Sequence, residues 1–480
     1  MNTFALINHL DLDITRAVSD MARYYDFASN KFANVKVIFT QETGLIKAEL
    51  SLDDGTTTFF VEKPNEALAH TSGEINRCVK LLSLKVFGKL AGKTIELPWG
   101  ILTGVRPTKL VHKLMDDGAE NPAEYLQNKY LLSPSNANLL CDIAKLQKNL
   151  LADEARFEEA GIYIGIPFCP SRCTYCSFPS GIIPQDEESQ QNFLNFIEQD
   201  IQNVVQLLGM RSISPTSLYI GGGTPTSFAE KPFARLMELC SKYFNLPSIK
   251  EFTVEAGRPD CFSVSKLQAM ESVGVNRVSV NPQTFHDATL KTIGRNHTVN
   301  DFYKAYDLVR ASSIPIVNMD LIIGLPGESE KDIEFSLHEA KRLAPENLTI
   351  HTLTLKKSAP LFGSKLSLEP ESASRMVKRG LEIAHDLGMV PYYLYRQHYM
   401  LGHLANIGYA LPGTESIYNV QMMEERHPII GIGPSSASKM PLPDGHHLAK
   451  LNMPKNIRTY EENLQVLFEK RRETLNSISN

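Results

Sequence analysis

Cysteine is scarce in this sequence, and its distribution argues against a disulfide-stabilised protein. Only 7 of the 480 residues are cysteine, and four of these, Cys78, Cys141, Cys240 and Cys261, are scattered along the chain. An odd, dispersed set is not a disulfide framework, and it favours a reducing compartment. The sequence therefore predicts a cytoplasmic protein.

Long apolar runs and an excess of positive charge are also missing. No uncharged apolar run approaches the roughly 18 residues of a membrane span. The stretch "MNTFALINHLDLDITRAVSD" places aspartates where a signal peptide would need an apolar core. The formal net charge of -5 gives no support for a general nucleic-acid surface or an anionic membrane surface. We therefore expect no membrane span and no nucleic-acid partner.

The chain is too long for one ordinary compact core, so two or three domains are expected. Residues 36–62 alternate apolar and polar side chains between Thr-Gly and Asp-Asp-Gly breaks, which predicts a short antiparallel meander. Residues 74–93 and 120–150 have helical periodicity. Together these patterns predict an α+β N-terminal domain over residues 1–150, whose role the sequence does not indicate.

From residue 160 onward, six short apolar runs alternate with helical segments. The runs are "GIYIGIPF", "SLYIGGG", "EFTVEAG", "RVSVNPQ", "VNMDLIIGLPG" and "LTIHTLTL". Such alternation implies a parallel sheet, and right-handed crossovers would roll that sheet toward a barrel. We predict an α/β fold with a partial (β/α)6 barrel over residues 151–365.

The remaining residues, 366–480, are predicted to form a mixed cap that covers the mouth of the pocket and contacts the substrate. They combine helical segments with a further strand-like piece, "MVPYYLYRQ", and a charged helix near 455–473.

Unusual polar or glycine clusters follow five successive predicted strands. They are the three cysteines Cys169, Cys173 and Cys176, the stretch "GGGTPT" at 221–226, Glu255, the pair Asn281 and Gln283, and Asp320. Ligands gather at the carboxyl ends of strands in parallel α/β folds. One such cluster could be a helix cap or a turn, but five in succession favour a shared pocket.

The three clustered cysteines lie within "IYIGIPFCPSRCTYCSF", residues 162–178, and have three possible interpretations. A structural zinc site usually has four Cys or His ligands, and no fourth ligand is nearby. Free cysteines can also be small core residues. An iron–sulfur cluster is the third interpretation, and the spacing favours it. Three thiolates leave one iron of a [4Fe–4S] cube open, which suits a reaction centre.

Asp320 interrupts an otherwise apolar predicted strand, "NMDLIIG". A lone buried carboxylate is costly unless it is paired or bound to a ligand. Arg295 is the most plausible charged partner on the same rim. An internal Arg295–Asp320 pair that merely braces the barrel is the alternative to a ligand contact.

The motifs together resemble one family. Cys-x3-Cys-x2-Cys with Tyr175 just before the last cysteine is the radical S-adenosylmethionine (SAM) signature. The stretches "YIGIPFCPSRCTYCSF", "YIGGGTPTS", "TVEAGRPD", "SVNPQTF", "IGRNHT" and "MDLIIGLPGES" resemble the oxygen-independent coproporphyrinogen III oxidases, or dehydrogenases. Four flanking stretches are similar to the HemZ-type branch: "WGILTGVRPTKL", "VPYYLYRQ", "ESIYNVQMMEE" and "IIGIGPSSASK".

The resemblance implies a radical SAM barrel whose chemistry belongs to the cofactors, so no side chain is assigned a catalytic role. It implies that Cys169, Cys173 and Cys176 hold a [4Fe–4S] cluster. It implies contacts to the cluster-bound SAM from Tyr163, Gly222 and Glu255. It also implies that a second SAM is lined by Tyr175, Gly223, Thr224, Gln283, Arg295 and Asp320.

The family reaction converts two propionates of coproporphyrinogen III to vinyl groups, giving protoporphyrinogen IX in anaerobic heme biosynthesis. The implied partners are this tetrapyrrole substrate and a low-potential electron donor of the flavodoxin or ferredoxin kind. The site would need cations for the substrate carboxylates. Arg106, Lys109 and Arg396 are candidates, with ordinary surface charge as the alternative.

One position departs from the family pattern. The best-understood members have a further cysteine two residues after the third cluster cysteine, where this chain has Phe178. "Cys-x-Phe" also resembles the heme-chaperone branch, which binds heme without the decarboxylation. A heme-trafficking protein is therefore the alternative function, and His351 is its most suggestive heme ligand, with a core histidine as the plainer interpretation. A radical enzyme acting on another substrate is a third possibility.

Overall fold

The computed structural model describes residues 2–30, 33–65, 68–69, 71–95, 97–151, 157–354, 356, 358–362, 368–397, 400, 404–443 and 447–476. The chain divides into two compact units, Met1–Cys141 and Asp142–Asn480. The predicted domains 1–150, 151–365 and 366–480 stay a prediction, and the boundary at 365/366 lies outside the described residues.

The first unit contains a five-stranded sheet in the order β2-β1-β3-β4-β5. Its strands are β1 (Asn2–Asn8), β2 (Phe27–Ser29), β3 (Lys36–Glu42), β4 (Leu45–Ser51) and β5 (Thr57–Glu62). The predicted meander is confirmed, because β3, β4 and β5 pair antiparallel in succession. Strands β1 and β2, which the sequence reading missed, add parallel pairings at the other edge.

The helices of this part of the chain are α1 (Thr15–Ala22), α2 (Ser72–Ala91), α3 (Thr108–Asp116), α4 (Pro122–Tyr130) and α5 (Pro134–Leu150). The segment 120–150 is therefore two helices, since Leu131 is left-handed and Pro134 starts the second. Helix α2 begins at the Thr71 cap and ends where Gly92 takes φ +64°. Its apolar face packs against β3 and β4 in one core that includes Val37, Phe39 and Val86.

The second unit is built on an eleven-stranded sheet, within the part of the chain that the structure describes. Six strands are parallel neighbours, which confirms the predicted α/β sheet. They are β6 (Glu159–Ile166), β9 (Ser214–Gly222), β10 (Glu251–Glu255), β11 (Arg277–Ser279), β12 (Ile316–Ile323) and β13 (Asn347–Thr352). The short pair β7 (Phe168–Cys169) and β8 (Gly181–Ile182) stands apart from this sheet.

Helices connect the parallel strands, as the alternating pattern predicts. They are α6 (Glu187–Arg211), α7 (Glu230–Phe244), α8 (Val264–Ser272), α9 (Asp287–Thr292), α10 (Val299–Arg310) and α11 (Glu330–Leu343). The outward side chains of the strands, such as Ile162, Ile220, Val254 and Met319, are buried. Among the alternate positions, Tyr163, Tyr219, Glu255 and Asp320 are partly exposed.

The C-terminal residues extend this sheet at both edges. After α12 (Pro370–Asp386), strands β14 (Val390–Tyr395) and β15 (Asn406–Ala410) join antiparallel beyond β13. Helix α13 (Ile417–Glu424) precedes β16 (Ile429–Ile432), which pairs parallel with β6 and is followed by β17 (Ala437–Pro441) and β18 (Leu448–Asn452). The expected C-terminal helix is two helices, α14 (Ile457–Glu462) and α15 (Leu464–Asn476).

Among the described residues, none of the helices has the length and apolar character needed to cross a membrane.

Candidate functional site

The three clustered cysteines lie on one loop at the carboxyl end of β6. Strand β7 starts this loop and pairs parallel with β8, which closes it at Cys169 and Ile182. Within the loop, the Cys176 amide donates to the Cys173 carbonyl at 3.2 Å. All three thiols are partly exposed and free of disulfides.

Two polar side chains approach these sulfurs from neighbouring strand ends. The Thr224 hydroxyl lies 3.6 Å from Cys169 Sγ, and Arg258 Nη1 lies 3.7 Å from Cys173 Sγ. Burial raises the pKa of the Cys176 thiol, and the nearby Cys173 and Cys169 add to the effect. Hydrogen bonds to sulfur stabilise thiolates, so Thr224 and Arg258 favour thiolate ligands at Cys169 and Cys173.

Among the described residues, no three or more His, Cys, Asp or Glu side chains lie close enough together to bind one metal ion. A zinc ion needs all its ligands at one centre, whereas a cubane has one thiolate on each of several irons. Three free thiols on one loop have the donor chemistry of a cluster ligand set.

The glycine-rich stretch after β9 packs directly on this loop. The Gly223 amide donates to the Ile166 carbonyl at 2.7 Å, and the Thr224 amide donates to the Phe168 carbonyl at 2.6 Å. A Cβ on Gly223 would overlap the Phe168 carbonyl, and Gly222 takes φ +112°. Glycine is therefore required for the backbone to approach so closely.

Glu255, at the end of β10, contacts the same glycine stretch. Its carboxylate accepts a hydrogen bond from the Tyr219 hydroxyl at 2.5 Å and from the Gly222 amide at 3.2 Å. Burial and, to a smaller extent, the nearby Asp320 carboxylate raise the pKa of Glu255 to about 7, although these two hydrogen bonds act to lower it. Glu255 is thus a carboxylate that a cationic ligand would ionise fully.

Three tyrosines stack on the polar side of the sheet next to Glu255. The ring centroids of Tyr219 and Tyr418 are 4.3 Å apart, and Tyr163 stacks on both rings. Tyr418 comes from α13, whose N-terminus is capped by the Glu251 carboxylate. Tyr163 is predicted from the sequence as a site residue, whereas Tyr219 and Tyr418 are not. Tyr219 could have been predicted as a site residue, because it lies two residues before Gly221 and therefore on the same face of β9.

Asp320 has a different partner from the one the sequence suggested. His351 Nε2 lies 3.6 Å from Asp320 Oδ2, and the Asn281 and Asn318 amides donate to the carboxylate at 2.8 and 2.9 Å. Burial alone would raise the pKa of Asp320, but His351 and the neighbouring polar groups lower it. The expected Arg295–Asp320 pair is wrong for the described residues.

Arg295 instead donates to backbone carbonyls and to a tyrosine. Its Nη1 lies 3.1 Å from the Gly257 carbonyl and 2.7 Å from the Asn281 carbonyl, and its Nη2 lies 3.5 Å from the Tyr175 hydroxyl. Two of the site residues predicted from the resemblance, Arg295 and Tyr175, are thus in contact. Arg295 contacts Tyr175 rather than Asp320 because it follows α9 and lies beside the cysteine loop.

Several buried polar atoms around this rim have no hydrogen-bond partner among the described residues: Asn281 Oδ1, Gln283 Oε1, Arg295 Nε and Ser279 Oγ. Gln283 also takes a left-handed backbone, φ +65°, that inserts it beside β12. Unpaired buried polar atoms are costly unless a ligand satisfies them. This rim therefore fits a polar ligand at the place where the second SAM was predicted.

The predicted substrate contacts lie in different parts of the chain. Arg106 lies just before α3 and Lys109 lies within it, both in the first unit. Arg396 follows β14 in the second unit, is buried, and its Nε lies 3.5 Å from the Leu404 carbonyl. Their role in binding substrate stays a prediction.

The tyrosines near Arg396 lie on β14. The Tyr393 hydroxyl lies 3.2 Å from Thr349 Oγ1, and the Tyr395 hydroxyl lies 3.3 Å from His351 Nδ1. His351 therefore has two polar partners, Asp320 and Tyr395.

Comparison with known proteins gives three informative similarities. Residues 163–340 match the radical SAM superfamily. The chain is 40% identical over 378 residues to the oxygen-independent coproporphyrinogen-III oxidase-like protein HemZ of Bacillus subtilis, covering 77% of this chain and 75% of that protein. It is also 34% identical over 217 residues to the heme chaperone HemW of Bacillus subtilis, covering 44% of this chain and 55% of that protein.

Among solved structures, the coproporphyrinogen III oxidase HemN from Escherichia coli, described as a radical SAM enzyme, is similar with a TM-score of 0.51. The sequence identity is 20%, and the similarity covers 68% of this chain and 73% of that one. This likeness shows that the two chains share a fold.

Proposed function

Because this chain belongs to the family of HemZ-like, coproporphyrinogen oxidase-like radical SAM proteins, with a [4Fe–4S] cluster and SAM as cofactors, we propose that it is a radical dehydrogenase of tetrapyrrole synthesis. The proposed reaction is the oxidative decarboxylation of two propionates of coproporphyrinogen III to vinyl groups. The observation that supports it most directly is one rim that holds three free cysteines, the glycine stretch, Glu255 and Asp320.

Different residues of this rim would bind the cluster and SAM. Cys169, Cys173 and Cys176 would hold the cluster, which together with SAM supplies a hydrogen-abstracting radical when both are bound. Gly222 and Gly223 let the glycine stretch pack closely on the Ile166–Phe168 backbone that leads to Cys169. Glu255 can accept hydrogen bonds from a cationic group, since it ends β10 and is partly exposed.

On the same rim, Asp320 and Arg295 offer a carboxylate and a guanidinium to polar ligand groups. Gln283 offers an unpaired buried oxygen to the same region. We assign Tyr175, Gly223, Thr224, Gln283, Arg295 and Asp320 to a second SAM, and Tyr163, Gly222 and Glu255 to the first.

The stack of Tyr163, Tyr219 and Tyr418 lies next to Glu255, because Tyr219 donates a hydrogen bond to that carboxylate. Tyr163, Tyr219 and Tyr418 present their rings rather than charged groups to the interior, and Tyr418 is held by the capped start of α13.

Each propionate in the proposed reaction loses one β-hydrogen atom, and then carbon dioxide and one electron. The carbon–carbon bond to the carboxylate breaks, and one of its two electrons pairs with the unpaired electron on the β-carbon to form the double bond. The remaining electron passes to an external one-electron acceptor as carbon dioxide leaves. A low-potential one-electron donor of the flavodoxin or ferredoxin kind would reduce the cluster. Arg106, Lys109 and Arg396 are the proposed carboxylate contacts, and a cytoplasmic location stays a prediction.

A second function has specific support. Phe178, which replaces a cysteine of the best-understood dehydrogenases, is 66% exposed, and the chain resembles a heme chaperone over its central region. Heme trafficking, with His351 as one candidate ligand, is therefore the alternative.

The deciding experiment is anaerobic incubation of reduced, cluster-reconstituted protein with SAM and coproporphyrinogen III. The dehydrogenase predicts vinyl product, released carbon dioxide and 5′-deoxyadenosine. Stoichiometric heme binding without vinyl product would favour the chaperone. Formation of 5′-deoxyadenosine without porphyrin conversion would indicate another substrate. A matched reaction without reductant gives the background for each readout.

A further inference from the structure

Arg258 is a buried cation at the cysteine loop to which the proposed function gives no role. It lies three residues after Glu255 and is only 3% exposed. Its Nη1 lies 3.4 Å from the Ser171 carbonyl and 3.7 Å from Cys173 Sγ, so one edge of the guanidinium points at a cluster cysteine. A guanidinium can only donate hydrogen bonds and is always charged.

The other edge of the guanidinium is held in place by Asp260. Arg258 Nε and Nη2 donate to the two carboxylate oxygens of Asp260 at 3.0 and 2.8 Å. Asp260 in turn lies 3.7 Å from Nδ1 of the buried His297. Such a two-pronged contact fixes the plane and direction of the side chain. Arg258 is therefore preoriented toward Cys173 Sγ.

A structural ion pair between Arg258 and Asp260 is the plain alternative. It explains the carboxylate contact but not why the remaining Nη1 faces a sulfur. Hydrogen bonds and net charge around the sulfurs are among the main determinants of the reduction potential of an iron–sulfur cluster. Reduction adds a negative charge to the cluster, so a cationic hydrogen-bond donor such as Arg258 beside the Cys173 thiolate favours the reduced cluster.

We propose that Arg258 is a positioning residue that raises the reduction potential of the cluster through its contact with Cys173 Sγ, while Asp260 moderates its charge. The inference rests on the cluster and not on the tetrapyrrole substrate. It would hold for the chaperone as well as for the dehydrogenase.

The test is a potentiometric titration of anaerobically reconstituted full-length protein, followed by electron paramagnetic resonance of the reduced cluster. Arg258→Gln should move the midpoint potential to a more negative value, because donor strength and positive charge are lost. Asp260→Asn should move it to a more positive value, because the guanidinium keeps its charge and loses its counter-ion. Arg258→Lys should shift it less than Arg258→Gln.

The opposite directions separate tuning from a structural role. If the ion pair only braced the fold, both variants would lower iron and sulfide content together and leave the potential of the remaining cluster unchanged. That result would overturn the proposal, as would shifts of the same sign in both variants.

If Arg258→Gln retains no cluster, the Asp260→Asn shift decides the proposal alone. A positive shift supports it, and no shift or a negative shift refutes it. Arg310→Gln is the matched control, since Arg310 pairs with Glu346 through Nη1 at 2.9 Å elsewhere in the same unit. The midpoint potential of the cluster in Arg310→Gln should equal that in the unchanged protein.

Discussion

His351 Nε2 lies 3.6 Å from Asp320 Oδ2, and this contact gives the carboxylate on β12 its histidine partner. The two residues are on neighbouring strands, where Asp320 pairs with Thr349, two residues before His351. Burial alone would raise the pKa of Asp320, but the hydrogen bond and charge of His351 lower it. The ionised carboxylate that we assign to the ligand rim therefore depends on a histidine.

Replacing this histidine by glutamine should weaken the site more than the fold. In His351→Gln we expect weaker SAM binding and a thermal midpoint lower by about 1–3 °C, because Asp320 loses its contact with the imidazole. Calorimetry and differential scanning fluorimetry measure the two effects. His338→Gln, on the exposed face of α11, is the control. Equal SAM affinity in both variants would contradict the assignment.

The stability that Asp320 contributes should also depend on pH. Its pKa is lowered in the folded protein, so this contribution is present above the unfolded pKa and is lost as pH falls through the folded one. We therefore expect the stability difference between the unchanged protein and His351→Gln to shrink under acid conditions.

Cys173 should be indispensable for the cluster. Cys173→Ala removes one of three thiolates, so we expect loss of the brown chromophore, of bound iron and sulfide, and of SAM cleavage. Cys240→Ala is the matched control, because Cys240 is buried in α7 and away from the loop. Full SAM cleavage in Cys173→Ala would refute the proposed function.

Gly223 should accept no side chain. A Cβ there would overlap the Phe168 carbonyl, so Gly223→Ala must displace the backbone that leads to Cys169. We expect a clear loss of iron per chain after reconstitution. Gly209→Ala, in α6, is the control, since a Cβ there meets nothing within 4 Å. It should load iron normally and gain about 0.5–1 kcal/mol of stability. Normal iron content in Gly223→Ala would show that the contact is dispensable.

SAM affinity should rise with pH through neutrality. Burial raises the pKa of Glu255 to about 7, so below that value the carboxyl group is mainly neutral and must release a proton to bind a cation. Between about pH 6 and about pH 8 the affinity should rise by up to about tenfold, and above that range it should level off. Equilibrium dialysis measures this rise.

Two variants accompany this titration. Glu255→Gln should bind SAM weakly and without the rise, whereas Glu230→Gln, at the exposed start of α7, should retain it. A pH-independent affinity in the unchanged protein would exclude Glu255 as the group that meets a cationic ligand.

The C-terminal helix α15 should depend on one buried ion pair. Arg471 Nη1 lies 2.6 Å from Asp200 Oδ1, and both side chains are fully buried. Removing one member leaves the other uncompensated, so Arg471→Met should cost about 3–5 kcal/mol. Arg458→Met is the control, because the Arg458–Glu462 pair is exposed and such pairs contribute less than about 1 kcal/mol. Chemical denaturation measures the loss of unfolding free energy in both variants. Equal losses in Arg471→Met and Arg458→Met would contradict the expected importance of the buried pair.

Much of the fold was predictable because its pattern is local. Strands β6, β9, β10, β11, β12 and β13 each appear as short apolar runs between helical segments, and such alternation leaves a parallel sheet as the main solution. The meander β3–β5 was predictable for the same reason. The break between α4 and α5 was harder to predict, since the left-handed residue that ends α4 is Leu131 and not a glycine.

The cofactor chemistry was likewise determined by the sequence. The spacing of Cys169, Cys173 and Cys176 depends only on neighbouring positions, and it predicts a thiolate-ligated cluster without knowledge of the fold. The polar groups at successive strand ends predicted a shared rim, because parallel strands present their carboxyl ends at one edge.

Only the tertiary structure decided which side chains meet across that rim. It paired Asp320 with His351 rather than Arg295, brought Tyr418 onto Tyr219, and turned Arg258 toward Cys173. These contacts join residues from different elements, so they depend on strand register and on where each connecting helix returns the chain. Hydrophobic periodicity specifies which face of a strand is buried, but it contains no information about the neighbour that faces it across the sheet.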